Sequence, residues 1–298
     1  MNWFSPNKVI IQGITADRTT FSAVQMKAYG TNVVAGISPG NGGTHIEDIP
    51  VFDLVEQALS EVEQIDISLI FVDRDRVLDA ATEAIAAGIR QIIIFTPKVP
   101  PLDTIKLIKY ARQTNTTILG PGSHGIIIPQ RVWLGNLQPQ YYQPGKVGTI
   151  ATSKHLCYEV AAELHRANIG QSIVVSLGTD RIIGSRLPQW LAILDRDPNT
   201  EVTIAIAPRI NEANEIIAHC KDRGYNKPII VYLAGLKAPQ KDYRDAATII
   251  SNHLSASIPI VNRDRAIGKK LQKVGIKIVK KPSEISQAIE EALAASNN

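Results

Sequence analysis

The chain has 298 residues, 44% of them hydrophobic, and its 32 Lys and Arg against 28 Asp and Glu leave a net charge of +4, which suits one large domain or two medium ones. Its two cysteines, Cys157 and Cys220, lie far apart without ligand spacing; this excludes a disulfide framework or a cysteine-built metal site and points to a reducing, cytoplasmic setting. No apolar run approaches the roughly 18 residues of a membrane span and "MNWFSPNK" lacks the apolar stretch of a leader, so a soluble, unprocessed protein with no membrane partner is expected.

The first strong signal is "VIIQGITADRTTF" (9–21). A β-branched run meets Gly13, and Thr, Ala, Asp and Arg then open a helix. That is the form of a phosphate-binding strand–turn–helix, with one glycine where two or three are usual. Further strands are expected at "NVVAGIS", "ISLIFV", "QIIIFT" and "TTILG", separated by helical stretches such as "FSAVQMKAYG" and "RVLDAATEAIAAGI" with apolar residues three and four apart. Strands alternating with helices imply right-handed βαβ units on a parallel sheet.

From Pro129 to Lys146 the pattern breaks. "PQRVWLGNLQPQYYQPGK" is rich in Pro, Gln and aromatic residues, has no helical period, and reads as a linker. Alternation resumes with "VGTIAT", "SIVVSLG", "EVTIAIAP", "KPIIVYLAG" and "GIKIVKK", and closes on the helix "SEISQAIEEALAAS", for which Ser283 is the expected N-cap. The basic stretch "KKLQKVGIKIVKK" (269–281) has no interleaved aromatic residue; it reads as a solvated helix face followed by an edge strand, and no nucleic-acid partner is expected. The expected fold is α/β: two doubly wound domains, 1–128 and 147–298, joined by a linker at 129–146.

Ligands of open α/β sheets sit beyond the carboxyl ends of the strands, where helix N-termini offer N–H groups to anions. Gly13 lets the chain turn sharply, the hydroxyls of Thr15, Thr19 and Thr20 can donate to phosphate oxygens, and Arg18 adds a positive charge. Asp17 has the wrong sign for a phosphate, though it suits the positive end of a helix. A nicotinamide site would show G-x-G-x-x-G here and an acidic residue closing the second strand. That strand instead ends "VVAGISPGNGG" without a carboxylate, and its glycine-rich loop lets backbone approach a different nucleotide closely.

Several blocks now act together. "QGITADRTTF", "AYGTNVVAGISPGNGGTH", "PVFD", "AIAAGI", "PPLD", "GPGSHGIIIP", "PGKVG" and "LAGLKAP" occur in the order and spacing of the α subunit of succinyl-CoA synthetase, and nearly the whole chain resembles that family. The resemblance implies an N-terminal CoA-binding Rossmann-like domain and a C-terminal flavodoxin-like ligase domain. It also implies an ATP-grasp β subunit as partner; a homo-oligomer is the other expected assembly. CoA or an adenine nucleotide is the implied ligand, lined by Thr15, Asp17, Arg18, Thr19, Asn41, Asp73, Thr96, Lys98 and Gly122.

Several of these depart from the family. Its Lys in Pro-Gly-Lys-Gly-Gly is Asn41, and its Pro-Ala-Pro after the third strand is Asp73, Arg74 and Asp75. Its Thr-Glu-Gly after the fourth is Thr96, Pro97 and Lys98, and the Asn of Gly-Pro-Asn-Cys-Pro-Gly is Gly122. Arg18, Arg74 and Lys98 can replace the lost charge. A charge-assisted contact is worth about 1.5–3 kcal/mol, so one loss weakens binding without forbidding it.

The family passes phosphate through the histidine of Gly-His-Ala-Gly-Ala; in the matching "YRDAATII", Asp245 takes its place. A neutral imidazole is nucleophilic near neutral pH and its phosphoramidate transfers onward, which a carboxylate in the same geometry would do only by accident. The family's Ser-Arg-Ser-Gly-Thr phosphate turn matches Thr152, Ser153, Lys154 and His155 without its glycine. No Glu follows "VTIAIAPRI" where the family supports its histidine, and "SNHLSASIP" replaces the later Gly-rich segment. His253, His155 and His124 are the remaining histidine candidates; each reads as a partly exposed loop residue. The expected function is a CoA- or nucleotide-binding subunit without phosphohistidine catalysis, in a regulatory or scaffolding role. The alternative is an active acyl-CoA ligase α-like subunit working with an ATP-grasp β partner.

Overall fold

The computed structural model describes Trp3 and residues 7–206, 210–223, 225–233 and 268–296. Asp245, His253 and most of the "LAGLKAP" block lie outside the described residues. Two seven-stranded sheets carry the chain. In the first, β1 (Val9–Gln12) lies between β2 (Val33–Ile37) and β5 (Ile67–Ile70). Beyond β2 come β4 (Ile49–Phe52) and the short β3 (His45–Ile46); beyond β5 come β6 (Gln91–Ile94) and β7 (Thr117–Leu119). All pairs are parallel except β3–β4, so the core of the sheet has the doubly wound Rossmann order. The helices of the crossovers are α1 (Asp17–Tyr29), α2 (Val55–Val62), α3 (Val77–Ala86) and α4 (Pro101–Gln113).

The period of two along each strand sorts its residues between two cores. Ile10, Ile37, Ile70 and Ile92 join Val77 and Ala81 of α3 and Leu107 of α4. Val9, Ile11, Leu69 and Ile93 join Met26 of α1 in the other core, which continues into the second sheet.

In that second sheet β10 (Pro144–Ala151) lies between β11 (Gln171–Ser176) and β12 (Val202–Ile206), with β13 (Ile229–Tyr232) and β14 (Lys277–Val279) beyond. These five strands are parallel in flavodoxin-like order. Helix α5 (Lys154–Arg166) packs with the last helix, α8 (Ile285–Ser296), and α6 (Leu187–Arg196) packs with α7 (Ile210–Arg223). Past β11 the sheet ends in an antiparallel hairpin, β8 (Gly125–Ile128) and β9 (Val132–Gly135).

The hairpin falls on the stretch read as a linker. Residues 129–146 carry β9, a 3-10 turn at Pro139–Tyr141 and the start of β10, and Trp133, Leu134, Leu137 and Tyr142 are buried. The helical period is missing because the stretch read as a linker is strand and turn, with side chains in the core. Thr31 Oγ1, just after α1, donates to Trp133 O at 2.7 Å, and the Trp3 ring lies 5.7 Å from that of Trp190 on α6. These contacts lock the two halves together.

Two smaller expectations meet the structure differently. Helix α8 begins at Ile285 after a 3-10 turn at Pro282–Glu284, so Ser283 lies inside that turn and does not cap the helix; Glu284 accepts the Lys280 N–H at 3.0 Å instead. In the basic stretch Leu271, Ile276 and Val279 are buried while Lys269 and Lys270 are exposed, and β14 is an edge strand, as expected. Among the described residues no helix is long and apolar enough to cross a membrane.

Gly125 and Gly88 form a matched pair for testing the hairpin. Their φ angles are +94° and +92°, but a Cβ on Gly125 would stand 1.7 Å from Leu134 O, whereas nothing lies within 4 Å of one on Gly88. The backbone cost of alanine, about 1–2 kcal/mol, is common to both. In urea melts Gly125→Ala should therefore lose at least ~2 kcal/mol more than Gly88→Ala. Equal losses would show that β8 and β9 separate freely.

Candidate functional site

The ligand-lining candidates gather at one edge of the first sheet. Thr15, Asp17, Arg18 and Thr19 follow β1, Asn41 follows β2, Asp73 follows β5, Thr96 and Lys98 follow β6, and Gly122 follows β7. From β1 the chain winds outward through β2 and then returns to β5 on the other side, which opens a crevice at the carboxyl ends of these strands.

Gly13 sets the first turn. At its φ of +82° a Cβ would stand 3.1 Å from Val72 N, so glycine lets this turn press on the backbone that follows β5. Ile14 is fully buried and fills the space that Gly36 leaves, where a Cβ would be 2.4 Å from it. Helix α1 is thereby seated on the sheet with Ala16, which has no capping side chain, as its N-cap. The N–H groups of Thr19 and Thr20 return to Ala16 O at 2.8 and 2.9 Å. Those of Asp17 and Arg18 find no acceptor among the described residues and remain as donors at the positive end of the helix.

The three hydroxyls divide. Thr15 Oγ1 shares a 2.7 Å hydrogen bond with Ser38 Oγ, which also accepts from Asn41 Nδ2 at 3.0 Å, tying the turn after β1 to the loop after β2. Thr20 Oγ1 donates to Ile14 O at 2.7 Å, and Thr19 is buried. The contact expected from the Thr20 hydroxyl is corrected, since that donor is spent within its own turn.

The loop after β2 has a carboxylate after all, brought by a different strand. Asp53, closing β4, accepts the N–H groups of Gly40 at 2.6 Å and Gly42 at 2.9 Å through Oδ1. A Cβ on Gly42 would stand 2.5 Å from Asp53 Oδ2, so the glycine permits this approach. The residue sits in the "PVFD" block, and an Asp ending a strand near a run of glycine donors is the signal that could have assigned it.

Across the crevice Asp73 leads into a 3-10 turn and its carbonyl accepts the Arg76 N–H at 2.9 Å. Arg74 pairs with Asp75 at 3.7 Å in the open, which balances its charge locally. Thr96 Oγ1 donates to Val72 O at 2.6 Å, and the Phe71 and Phe95 rings stack 4.1 Å apart, so the loops after β5 and β6 are coupled. The N–H groups of Lys98 and Val99 donate to Asp180 Oδ1 and Oδ2 at 2.9 and 3.1 Å. Gly122 donates to Thr96 O and accepts the Thr179 N–H, both at 3.1 Å; a Cβ on it would stand 2.4 Å from Thr179 Oγ1. Thr179 and Asp180 follow β11, and no local pattern marks them.

At the second sheet β10 runs straight into α5. Ser153 is the N-cap, its side chain accepting the Leu156 N–H at 3.5 Å, and no residue of the turn is left-handed. The turn folds without the glycine that the family resemblance asks for. His155 is exposed in the first turn of α5, and His124 is half-buried before β8. Cys157, also near the start of α5, is buried; burial raises its thiol to about 12, and the Tyr142 hydroxyl lowers it by less. It is held as a thiol.

Residues 4–98 match the family described as CoA binding domain, and residues 144–290 match the succinyl-CoA ligase like flavodoxin domain. The α2 subunit of the ADP-forming succinate–CoA ligase of Archaeoglobus fulgidus is 34% identical over 287 residues, 96% of this chain and 97% of that protein. The α subunit of the malate–CoA ligase of Methylorubrum extorquens is 38% identical over 240 residues, 78% of this chain and 79% of that one. Among solved structures, ATP citrate lyase from Methanothrix soehngenii in complex with citrate and coenzyme A superposes with a TM-score of 0.81 at 16% identity, covering 98% of this chain and 51% of that chain. A dinucleotide-forming acetyl-coenzyme A synthetase of Ca. Korarchaeum cryptofilum, in complex with phosphate and ADP, gives 0.72 at 21% identity, covering 93% and 59%. The chain thus spans somewhat over half the length of these solved chains at most, and shares their fold.

The state of Cys157 is directly measurable. Burial holds it protonated at pH 8 and shields it from reagent. Ellman's reagent should therefore release at most one equivalent from the folded chain, from half-buried Cys220, and two after unfolding in guanidinium. Two rapid equivalents from the native protein would show that α5 does not shield its cysteine.

Proposed function

Because the chain belongs to the succinate–CoA ligase α-subunit family, we propose that it holds coenzyme A at the carboxyl edge of its first sheet and acts as a CoA-binding subunit without phosphohistidine catalysis, in a regulatory or scaffolding role. The observation that carries the ligand reading is the start of α1. Its N-cap lacks a side-chain acceptor, two first-turn N–H groups are unspent, and the Gly13 turn brings them against the loop after β5. A pyrophosphate brings the negative charge and acceptor oxygens that such a helix start favours. The Thr15–Ser38–Asn41 chain shapes the side where a ribose would lie, and an adenine nucleotide alone would use the same groups.

The loss of phosphotransfer rests on Asp245 at the position of the family's histidine. It is supported by the turn at 152–155, which forms an ordinary serine-capped helix start with no glycine to fold its N–H groups around an anion. For the assembly we favour an ATP-grasp β-like partner, since the relatives are α subunits, with self-association as the other arrangement.

Similarity to ligases over 96% of the chain favours a second reading: an active acid–CoA ligase α-like subunit with a relocated nucleophile or none. Its acid would then be a small dicarboxylate, as the names of the succinate and malate ligases suggest.

Three measurements separate these readings. CoA at 100 times its Kd should stabilise the protein by about 2.7 kcal/mol, read as a rise in Tm; a melt unmoved by millimolar CoA, ADP and ATP would sink the ligand reading. Incubation with ATP or GTP and a β-like partner should leave no acid-labile phosphohistidine, whereas label on His253, His155 or His124 would favour the active ligase. Asp245→His should restore no measurable succinyl-CoA synthesis, because residues that act as a unit are not rescued one at a time. Activity returning from that single change would show the rest of the site to be intact.

A further inference from the structure

Six non-glycine residues among those described have positive φ: Glu47, Glu63, Lys98, Asn115, Gln130 and Asn168. Four have ordinary reasons: Asn115 and Asn168 follow α4 and α5, and Glu47 and Gln130 turn the β3–β4 and β8–β9 hairpins. Glu63 centres the γ-turn that ends α2, with Gln64 N donating to Val62 O, far from the ligand edge. Lys98, at φ +60°, does none of these. It stands between β6 and α4 at the ligand edge, where a glycine would avoid the steric cost. Strain kept at such an edge is a reason to look for a role.

The conformation is imposed from the other half of the molecule. Asp180 spans two successive N–H groups, Lys98 through Oδ1 at 2.9 Å and Val99 through Oδ2 at 3.1 Å. Its own segment is anchored: Thr179 N donates to Gly122 O at 3.1 Å, and Gly178 lies so close to Pro121 O that a Cβ would stand 2.4 Å away. The Lys98 side chain that results is exposed and makes no ion pair among the described residues. Around the same edge Asn41 is engaged with Ser38 and Arg74 is matched by Asp75. Among the described residues Arg18 and Lys98 are the candidate cations left without an ion pair.

We propose that Lys98 contacts a phosphate of the bound ligand and that Asp180 is its positioning residue, so that the second domain sets the aim of the first domain's ligand cation. The ligand class is a nucleotide with more than one phosphate group, and the inference rests on the reading that this edge binds CoA. Arg18, at the start of α1, meets one end of the charge distribution; Lys98, two strands away, meets another.

Titration calorimetry of the full chain with CoA tests this. Lys98→Gly removes cation and strain together, so its Tm should equal or exceed that of the unsubstituted protein while the Kd for CoA rises about tenfold or more. Its binding should also depend less steeply on salt, and Lys98→Arg should restore most of the affinity. A merely structural residue would not raise stability and weaken binding in one substitution. Asp180→Ala should weaken CoA binding in the unsubstituted background but by less than about twofold when added to Lys98→Gly, since it acts through Lys98. Unchanged Kd and salt slope in Lys98→Gly, with the unsubstituted protein binding CoA, would overturn the Lys98 assignment and leave the CoA reading standing. Equal losses from Asp180→Ala in both backgrounds would overturn the role given to Asp180. If the unsubstituted protein binds no CoA, the underlying reading fails and this proposal fails with it.

Discussion

The two sheets meet backbone against backbone. Gly120 N donates to Leu177 O at 2.9 Å, Gly184 N donates to Gly120 O at 2.8 Å, and Thr179 N donates to Gly122 O at 3.1 Å. Such closeness excludes side chains: a Cβ on Gly178 would stand 2.4 Å from Pro121 O, and one on Gly184 would stand 2.6 Å from Ile118 O. Peptide groups shut away from water must find partners, and here each half supplies acceptors for the other. The β8–β9 hairpin follows directly from this seam, and its buried Trp133 then meets Tyr29 of α1, the rings 5.8 Å apart.

That constraint reaches the ligand edge. The loop after β6 is tied inward to the loop after β5 through Thr96 and outward to the second domain through Asp180. The loop after β2 is gathered by Asp53 in the same manner, a carboxylate accepting two backbone N–H groups. Loops organised in this way lose little further freedom when a ligand arrives, which lowers the entropic cost of binding. They also place negative charge behind the loops, so attraction for a phosphate must come from the helix start and from side chains that remain unpaired.

At the second sheet two residues at the start of α5 are engaged locally. Ser153 closes the start of α5, and Cys157 is sealed under Tyr142.

By itself the sequence determined what depends on near neighbours along the chain. Alternation of short β-branched runs with apolar residues three and four apart specified parallel strands and crossover helices. Gly13 after a buried strand specified the sharp turn into α1, and the ordered blocks specified the family. Positions on the strand ends were legible too, because a doubly wound sheet brings all of its carboxyl ends to one edge. Only the tertiary structure decided which polar groups meet there. The stretch 129–146 became strand because β8 and β11 offered it an edge and the core accepted Trp133 and Leu134, neither of which local periodicity records. The Thr20 hydroxyl was drawn back onto Ile14 O, where that residue seats α1. Asp180 is an acid without local motif, and it lies 82 positions from the lysine it holds. A hydrogen bond across such a separation is set by the path of the chain in space, and that path exists only once both sheets have formed and met.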